Sequence, residues 1–145
     1  MATRSGHVAT YTHTQEIGHL RERSEPAHHA FVILRIGYAI LPILAGLDKF
    51  FDRLVDWDQY LSGFVNGLVR GHGHQFMLAV GAIEMIAGIG VLLKPRIFAW
   101  VVAFWLWGIV VNLLLVPGFY DVALRDFGLS LGALALAQLS REFDR

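Results

Sequence analysis

The sequence predicts an all-α integral membrane protein, a four-helix bundle with an amphipathic surface helix between the first and second spans. Three observations carry that prediction. Apolar residues make up 55% of the 145-residue chain and charged residues 17%, where a soluble domain has roughly a quarter of its residues charged. Mean hydropathy is +0.51. Four long apolar runs follow one another, and those at 31–43 and 97–116 leave no polar face for water, which argues against a soluble buried bundle.

The first span is expected at 31–51, interrupted by Arg35, Asp48 and Lys49. The second covers 76–93, holds Glu84, and is closed by Lys94-Pro95-Arg96. The third covers 97–116, with Asn112 its sole strongly polar member and Pro117-Gly118 at its end. The fourth is fully apolar only over 127–139 and must recruit the turn before Asp126, giving 122–139. A hydrocarbon core about 30 Å thick takes roughly 20 helical residues, and backbone groups in lipid must pair within the segment. The transmembrane domain is therefore 30–140, with a polar cytoplasmic tail at 1–29 and a short C-terminal tail at 141–145. The N-terminal tail reads as a disordered extension, and its apolar stretch begins too late for a cleavable secretory signal.

Between the first two spans, Phe50, Leu54, Trp57, Leu61, Phe64 and Leu68 recur at three- and four-residue steps. Asp52, Arg53, Asp56, Asp58 and Gln59 take much of the other side. This is the pattern of an amphipathic helix that lies on the membrane or caps the bundle. Four spans put both termini on one side. That side holds seven basic residues (Arg4, Arg21, Arg23, Lys94, Arg96, Arg141, Arg145) against four opposite (Lys49, Arg53, Arg70, Arg125), so both termini are expected in the cytoplasm.

Composition also removes function classes. Twelve basic and twelve acidic side chains cancel, leaving no electrostatic footprint for nucleic acid. The chain has no cysteine, which excludes disulfides, thiolate metal sites and cysteine nucleophiles. Its seven histidines, at 7, 13, 19, 28, 29, 72 and 74, lie outside the apolar runs, so axial ligands for an intramembrane b-type haem are missing. His72 and His74 alone make a poor metal site, and no metal is assigned. No nucleophile elbow, P-loop or dinucleotide fingerprint occurs, and no catalytic residue is assigned.

The candidate site residues are the polar groups at membrane depth, Arg35, Lys49, Glu84, Asn112 and Asp126, because ionisable groups there are expensive. Helical periodicity puts each on a face suited to turn inward. Arg35, Tyr38, Pro42, Ala45 and Lys49 share one face of the first span; Gly81, Glu84 and Gly88 share one of the second. Trp105, Gly108 and Asn112 align on the third. Asp126, Ser130, Ala133, Ala137 and Ser140 align on the fourth, where Gly128 and Gly132 form a small-xxx-small pair. Lys49 and Asp126 fall at similar depth and are expected to pair. Glu84 lies roughly 10 Å in depth from both Arg35 and Lys49, and either one neutralises it unless it is protonated. Structural ion pairs, a shared polar pocket for a ligand and a proton pathway all remain open for these residues.

Arg35-Ile36-Gly37, Leu44-Ala45-Gly46-Leu47-Asp48-Lys49-Phe50, Glu84 followed by Ala87-Gly88-Ile89-Gly90, and Asp121-Val122-Ala123-Leu124-Arg125-Asp126-Phe127-Gly128-Leu129 together resemble the DoxX-like family of small four-helix membrane proteins, over about 31–140. The resemblance implies a multi-pass protein of a bacterial-type inner (plasma) membrane. Relatives are linked to membrane-associated sulfur and thiol redox systems, including thiosulfate oxidation coupled to quinone, and Arg35, Lys49, Glu84 and Asp126 would be the family's recurrent polar residues. The missing cysteine departs from any direct thiol chemistry. The expectation is thus a non-catalytic subunit that anchors or stabilises a larger, redox-linked membrane complex. One alternative is an autonomous binder of a quinone or other small amphiphile near Arg35, Glu84 and Asn112, walled by Trp105 and Tyr38. Another is a proton-coupled small-solute transporter. No cofactor is assigned to the chain itself, a quinone or lipid being the candidate guest. The expected partners are the lipid bilayer and other complex subunits or further copies of the chain.

Overall fold

The computed structural model describes the backbone of residues 5–144 and the side chains of residues 25–144. Among these the chain forms α1 (Ser5–Asp48), a 3₁₀ turn (Trp57–Tyr60), α2 (Gly63–Leu68), α3 (Gly73–Leu93), α4 (Pro95–Leu114) and α5 (Tyr120–Phe143). Four stretches are long and apolar enough to cross a membrane: Glu25–Asp48 within α1, Gly73–Leu93, Pro95–Leu114 and Tyr120–Phe143. At about 1.5 Å per residue, each rises roughly 30 Å or more, the thickness of the hydrocarbon core. The protein is a multi-pass four-helix bundle.

Its helix ends differ from the sequence expectation in ways that side-chain chemistry explains. The first span closes at Asp48 rather than 51, because Asp48 turns its carboxylate onto the backbone N–H groups of Arg53 and Leu54. At its other end α1 continues back to Ser5, so the segment expected as a disordered tail is helical from that residue. Residues 1–4 of that tail, and Arg145 of the C-terminal one, lie outside the described residues, and α5 runs on as helix to Phe143. Pro42 sits inside α1, where it has no N–H to give the Tyr38 carbonyl.

The connection between the first two spans is helical, but in two short pieces rather than one continuous amphipathic helix. Asp52 and Arg70 adopt left-handed backbone conformations, φ 45° and 55°, which an α-helix cannot accommodate. Ser62 starts α2 by accepting the Val65 N–H on its hydroxyl, the usual role of serine at a helix start. Gly71, at φ 79°, supplies the left-handed residue that leads into α3.

The four spans form a ring made of two close pairs, α1 with α3 and α4 with α5, joined by narrower seams between α1 and α5 and between α3 and α4. One residue, Lys94, links α3 to α4, with Pro95 opening α4. Small residues set the α1–α3 distance. A methyl group at Gly88 would stand 2.5 Å from the Ala39 carbonyl oxygen, and one at Gly81 would stand 2.6 Å from that of Gly46. Lipid gives helices no hydrophobic drive to associate, so this close backbone approach is what packing contributes. The central core follows the same rule, with Ala39, Ala87, Ala99, Ala103, Ala133 and Ala137 packed around Phe31, Val91, Val102 and Leu136. Large apolar residues face outward instead, among them Ile33, Leu41, Ile86, Phe104 and Leu124.

On α5 the stripe Asp126, Ser130, Ala133, Ala137 and Ser140 is buried, as its spacing predicts. The expected Gly128–Gly132 pair divides. Gly132 receives the Tyr38 ring of α1, whereas Gly128 has open space where a side chain would be. This contrast is testable by thermal unfolding in detergent. Gly88→Ala is expected to destabilise by about 1–3 kcal/mol through overpacking, while Gly128→Ala is expected to be neutral or to stabilise by about 0.5–1 kcal/mol, as at any open helical glycine.

Candidate functional site

The candidate site begins with the last turn of α1, where Asp48 and Lys49 point to different tasks. Lys49 reaches to α3, and its Nζ lies 2.7 Å from Glu84 Oε2. Both residues are buried, at 4% and 8% exposure. Gly81, one turn before Glu84, admits the lysine stem, since a Cβ there would lie 3.1 Å from Lys49 Cβ. The ammonium also sits 3.6 Å from the centroid of the Trp57 ring, a favourable cation–π placement. Lys49 is therefore held between a carboxylate and an aromatic face.

Asp48 fixes that aromatic face. Trp57 Nε1 donates to its Oδ2 at 2.8 Å, while the Arg53 and Leu54 N–H groups donate to its Oδ1 at 3.1 Å each. The next part of the connection is tied to the far pair of helices by Asn112 of α4. The Ser62 N–H donates to Asn112 Oδ1 at 3.1 Å, and Asn112 Nδ2 donates to the Tyr60 carbonyl at 2.7 Å. The Tyr60 ring meets Phe119 edge-on at 4.8 Å. A further tie joins His74 Nδ1, at the start of α3, to Asp58 Oδ2 at 3.0 Å. The connection thus forms a polar cap over one end of the bundle, with the Lys49–Glu84 pair directly beneath it.

Asp126 is also buried, and its Oδ1 accepts from Arg125 Nε at 3.0 Å. The expected Lys49–Asp126 pair is not formed, because Lys49 is committed to Glu84 and the adjacent arginine serves Asp126 from the surface. Trp105 of α4 stands on the Glu84 carboxylate. Its Nε1 is buried and lies beside Glu84 without a hydrogen bond of ordinary geometry.

Arg35 belongs to the opposite end of the bundle. Its Nε and Nη2 donate to the Leu92 carbonyl at 3.2 and 2.5 Å, and its Nη1 lies 3.9 Å from Asp144 Oδ1. Leu92 is in the last turn of α3, whose carbonyls have no intrahelical donor and carry the negative end of the helix dipole. Glu84 is eight residues earlier, about 12 Å along the axis. The structure therefore does not bring Arg35, Glu84 and Asn112 into one pocket. It brings Lys49, Glu84 and Trp105 together, leaves Asp126 with Arg125, sends Asn112 to the cap, and gives Arg35 to a helix terminus. Tyr38 is likewise engaged, donating its hydroxyl to the Leu129 carbonyl of α5.

Sequence reasoning missed the roles of Asp48, Trp57, Ser62 and the Asp58–His74 contact. A signal for the first two was present. An aspartate beside the lysine that ends a span, followed by a tryptophan nine residues on, offers an acceptor and an indole donor within one loop's reach. Among the described residues, no group of three or more His, Cys, Asp or Glu side chains is arranged to hold a metal ion. Comparison of the chain with known protein families, curated proteins and solved structures finds no match.

Removing one member of a buried ion pair strands the other charge, at a cost of about 3–5 kcal/mol. Lys49→Met and Glu84→Gln are each expected to destabilise by that order, and the double variant by clearly less than their sum. A double-mutant cycle on unfolding in detergent measures the difference. Asn112→Ala removes two hydrogen bonds of the cap, a loss of about 1–3 kcal/mol. It should also speed proteolytic cleavage within residues 50–72 while leaving helix content unchanged by circular dichroism.

Proposed function

We propose that this chain is a non-catalytic membrane subunit of the DoxX-like type that anchors or stabilises a larger, redox-linked complex in a bacterial-type inner membrane. One observation carries the proposal. Five of the ionisable and amide groups at membrane depth are occupied in holding the bundle together: Lys49 with Glu84, Asp48 with the cap, Arg35 with the end of α3, Asn112 with Tyr60 and Ser62. Polar groups arranged in this way give a bundle register and rigidity, which are what an anchor needs. The family and the redox connection rest on the resemblance of the segments around Arg35, Lys49, Glu84 and Asp126. The excess of basic residues on the side of the termini supports their placement in the cytoplasm.

A second reading, an autonomous binder of a quinone or other small amphiphile, is favoured by Trp105. A buried indole N–H without an ordinary partner is a donor that a ligand carbonyl would satisfy.

Release of the intact assembly in mild detergent or polymer nanodiscs, followed by mass spectrometry, tests both. Stoichiometric partner proteins that carry redox cofactors are expected. A chain that always emerges alone would overturn the subunit reading. If it emerges alone with a copurified quinone, equal quinone retention by Glu84→Gln and Trp105→Phe would remove the second reading as well.

A further inference from the structure

We infer that the α3–α4 hairpin carries a binding site for an anionic phospholipid, with its phosphate on Lys94 and Arg96 and an acyl chain along α4. The hairpin has a single linking residue, so its charges lie at the membrane boundary by construction. Gly73–Leu93 and Pro95–Leu114 are both spans, and each rises about 30 Å. Lys94 falls between them, level with the headgroups, and Arg96 is one residue inside α4. Both side chains are exposed, and neither is engaged in an ion pair or side-chain hydrogen bond among the described residues. Arg35 is committed to Leu92 and Asp144, Lys49 to Glu84, Arg125 to Asp126 and Arg141 to Gln138, while Arg53 and Arg70 belong to the connection at the other end of the bundle. Of the described acidic side chains at this end of the bundle, Glu25 opens the first span, Glu142 is on α5, and Asp144 just beyond it is turned towards Arg35.

Below the two cations the surface changes to one that suits an acyl chain. Ile97, Trp100 and Phe104 follow three- and four-residue steps and share a face of α4. All three are exposed. The Trp100 and Phe104 rings stack with centroids 6.1 Å apart and planes 26° from parallel, making a continuous aromatic wall that leads from the headgroup level towards the bilayer centre. Tryptophan near a headgroup boundary keeps its apolar body in the chains and its N–H towards water and phosphate. A positive pair above an apolar wall is complementary to one phosphate and one chain. Free phosphate would satisfy only the upper half.

The experiment is native mass spectrometry of the full chain, released from micelles containing equal amounts of phosphatidylglycerol and phosphatidylcholine. Two surface cations, at about 1 kcal/mol each, lead to an expected preference for bound phosphatidylglycerol of roughly tenfold or more. Lys94→Gln with Arg96→Gln should reduce that preference to near unity with helix content and melting temperature unchanged. Trp100→Ala with Phe104→Ala should lower retention of both lipids. Equal retention of the two lipids by the parent, or a preference that survives in the Lys94/Arg96 variant, would overturn the inference. So would displacement of the lipid by inorganic phosphate at millimolar concentration, since that would mark a phosphate site without a chain.

Discussion

The contact between Lys49 and Glu84 is the constraint on which the rest of the bundle depends. A lone ammonium or a lone carboxylate at this depth is strongly disfavoured, so α1 and α3 have to meet in the one register that brings the two together. That register requires close helices, and Gly46, Gly81 and Gly88 make them close. It also requires cover at the membrane end, which Trp57 provides while Asp48 holds it in place. The neighbouring residues at the end of α1 therefore do linked work, one closing the pair from below and the other building its lid.

Once the cap is present, it couples the two helix pairs. Asn112 belongs to α4, yet both of its hydrogen bonds go to the connection between α1 and α3. The same economy holds at the other end, where Arg35 of α1 satisfies the last turn of α3 and approaches Asp144 beyond α5. Polar side chains at each end thus tie three of the four spans, while alanine packing fills the space between.

Much of this organisation was legible in the sequence because helix periodicity is local. The four spans, the buried stripe on α5 and the small-residue face around Glu84 all follow from residues three and four apart. Glu84's partner was not legible. Arg35 and Lys49 are about equally far from it in depth, and the choice between them turns on events outside their own helix. Gly81 opens room for the lysine stem, and the Leu92 carbonyl takes the arginine. The connection was ambiguous for a similar reason. Its apolar spacing fits one helix, but the left-handed residues at Asp52 and Arg70 and the long-range claims of Asp48 and Asn112 divide it. Gly128 and Gly132 look equivalent in sequence, and only the position of Tyr38 distinguishes them.

The narrower seams show how a bundle in lipid is closed when apolar contact offers little drive. Between α1 and α5, Tyr38 donates to the Leu129 carbonyl, and Phe31 and His28 pack on Phe143. Within the α4–α5 pair, Trp107 donates to the Ser130 hydroxyl at 3.0 Å, which in turn donates to the Phe127 carbonyl. Each bond uses a large amphipathic ring that tolerates lipid on its body and places one polar atom inside. Such bonds average well under 2 kcal/mol in a membrane, because the separated helices also find partners. These bonds are accordingly weaker than the charge-locked α1–α3 contact. Between the two halves, α1 with α3 and α4 with α5, the polar ties are the Tyr38–Leu129 bond, the Arg35–Asp144 contact and the cap that Asn112 holds.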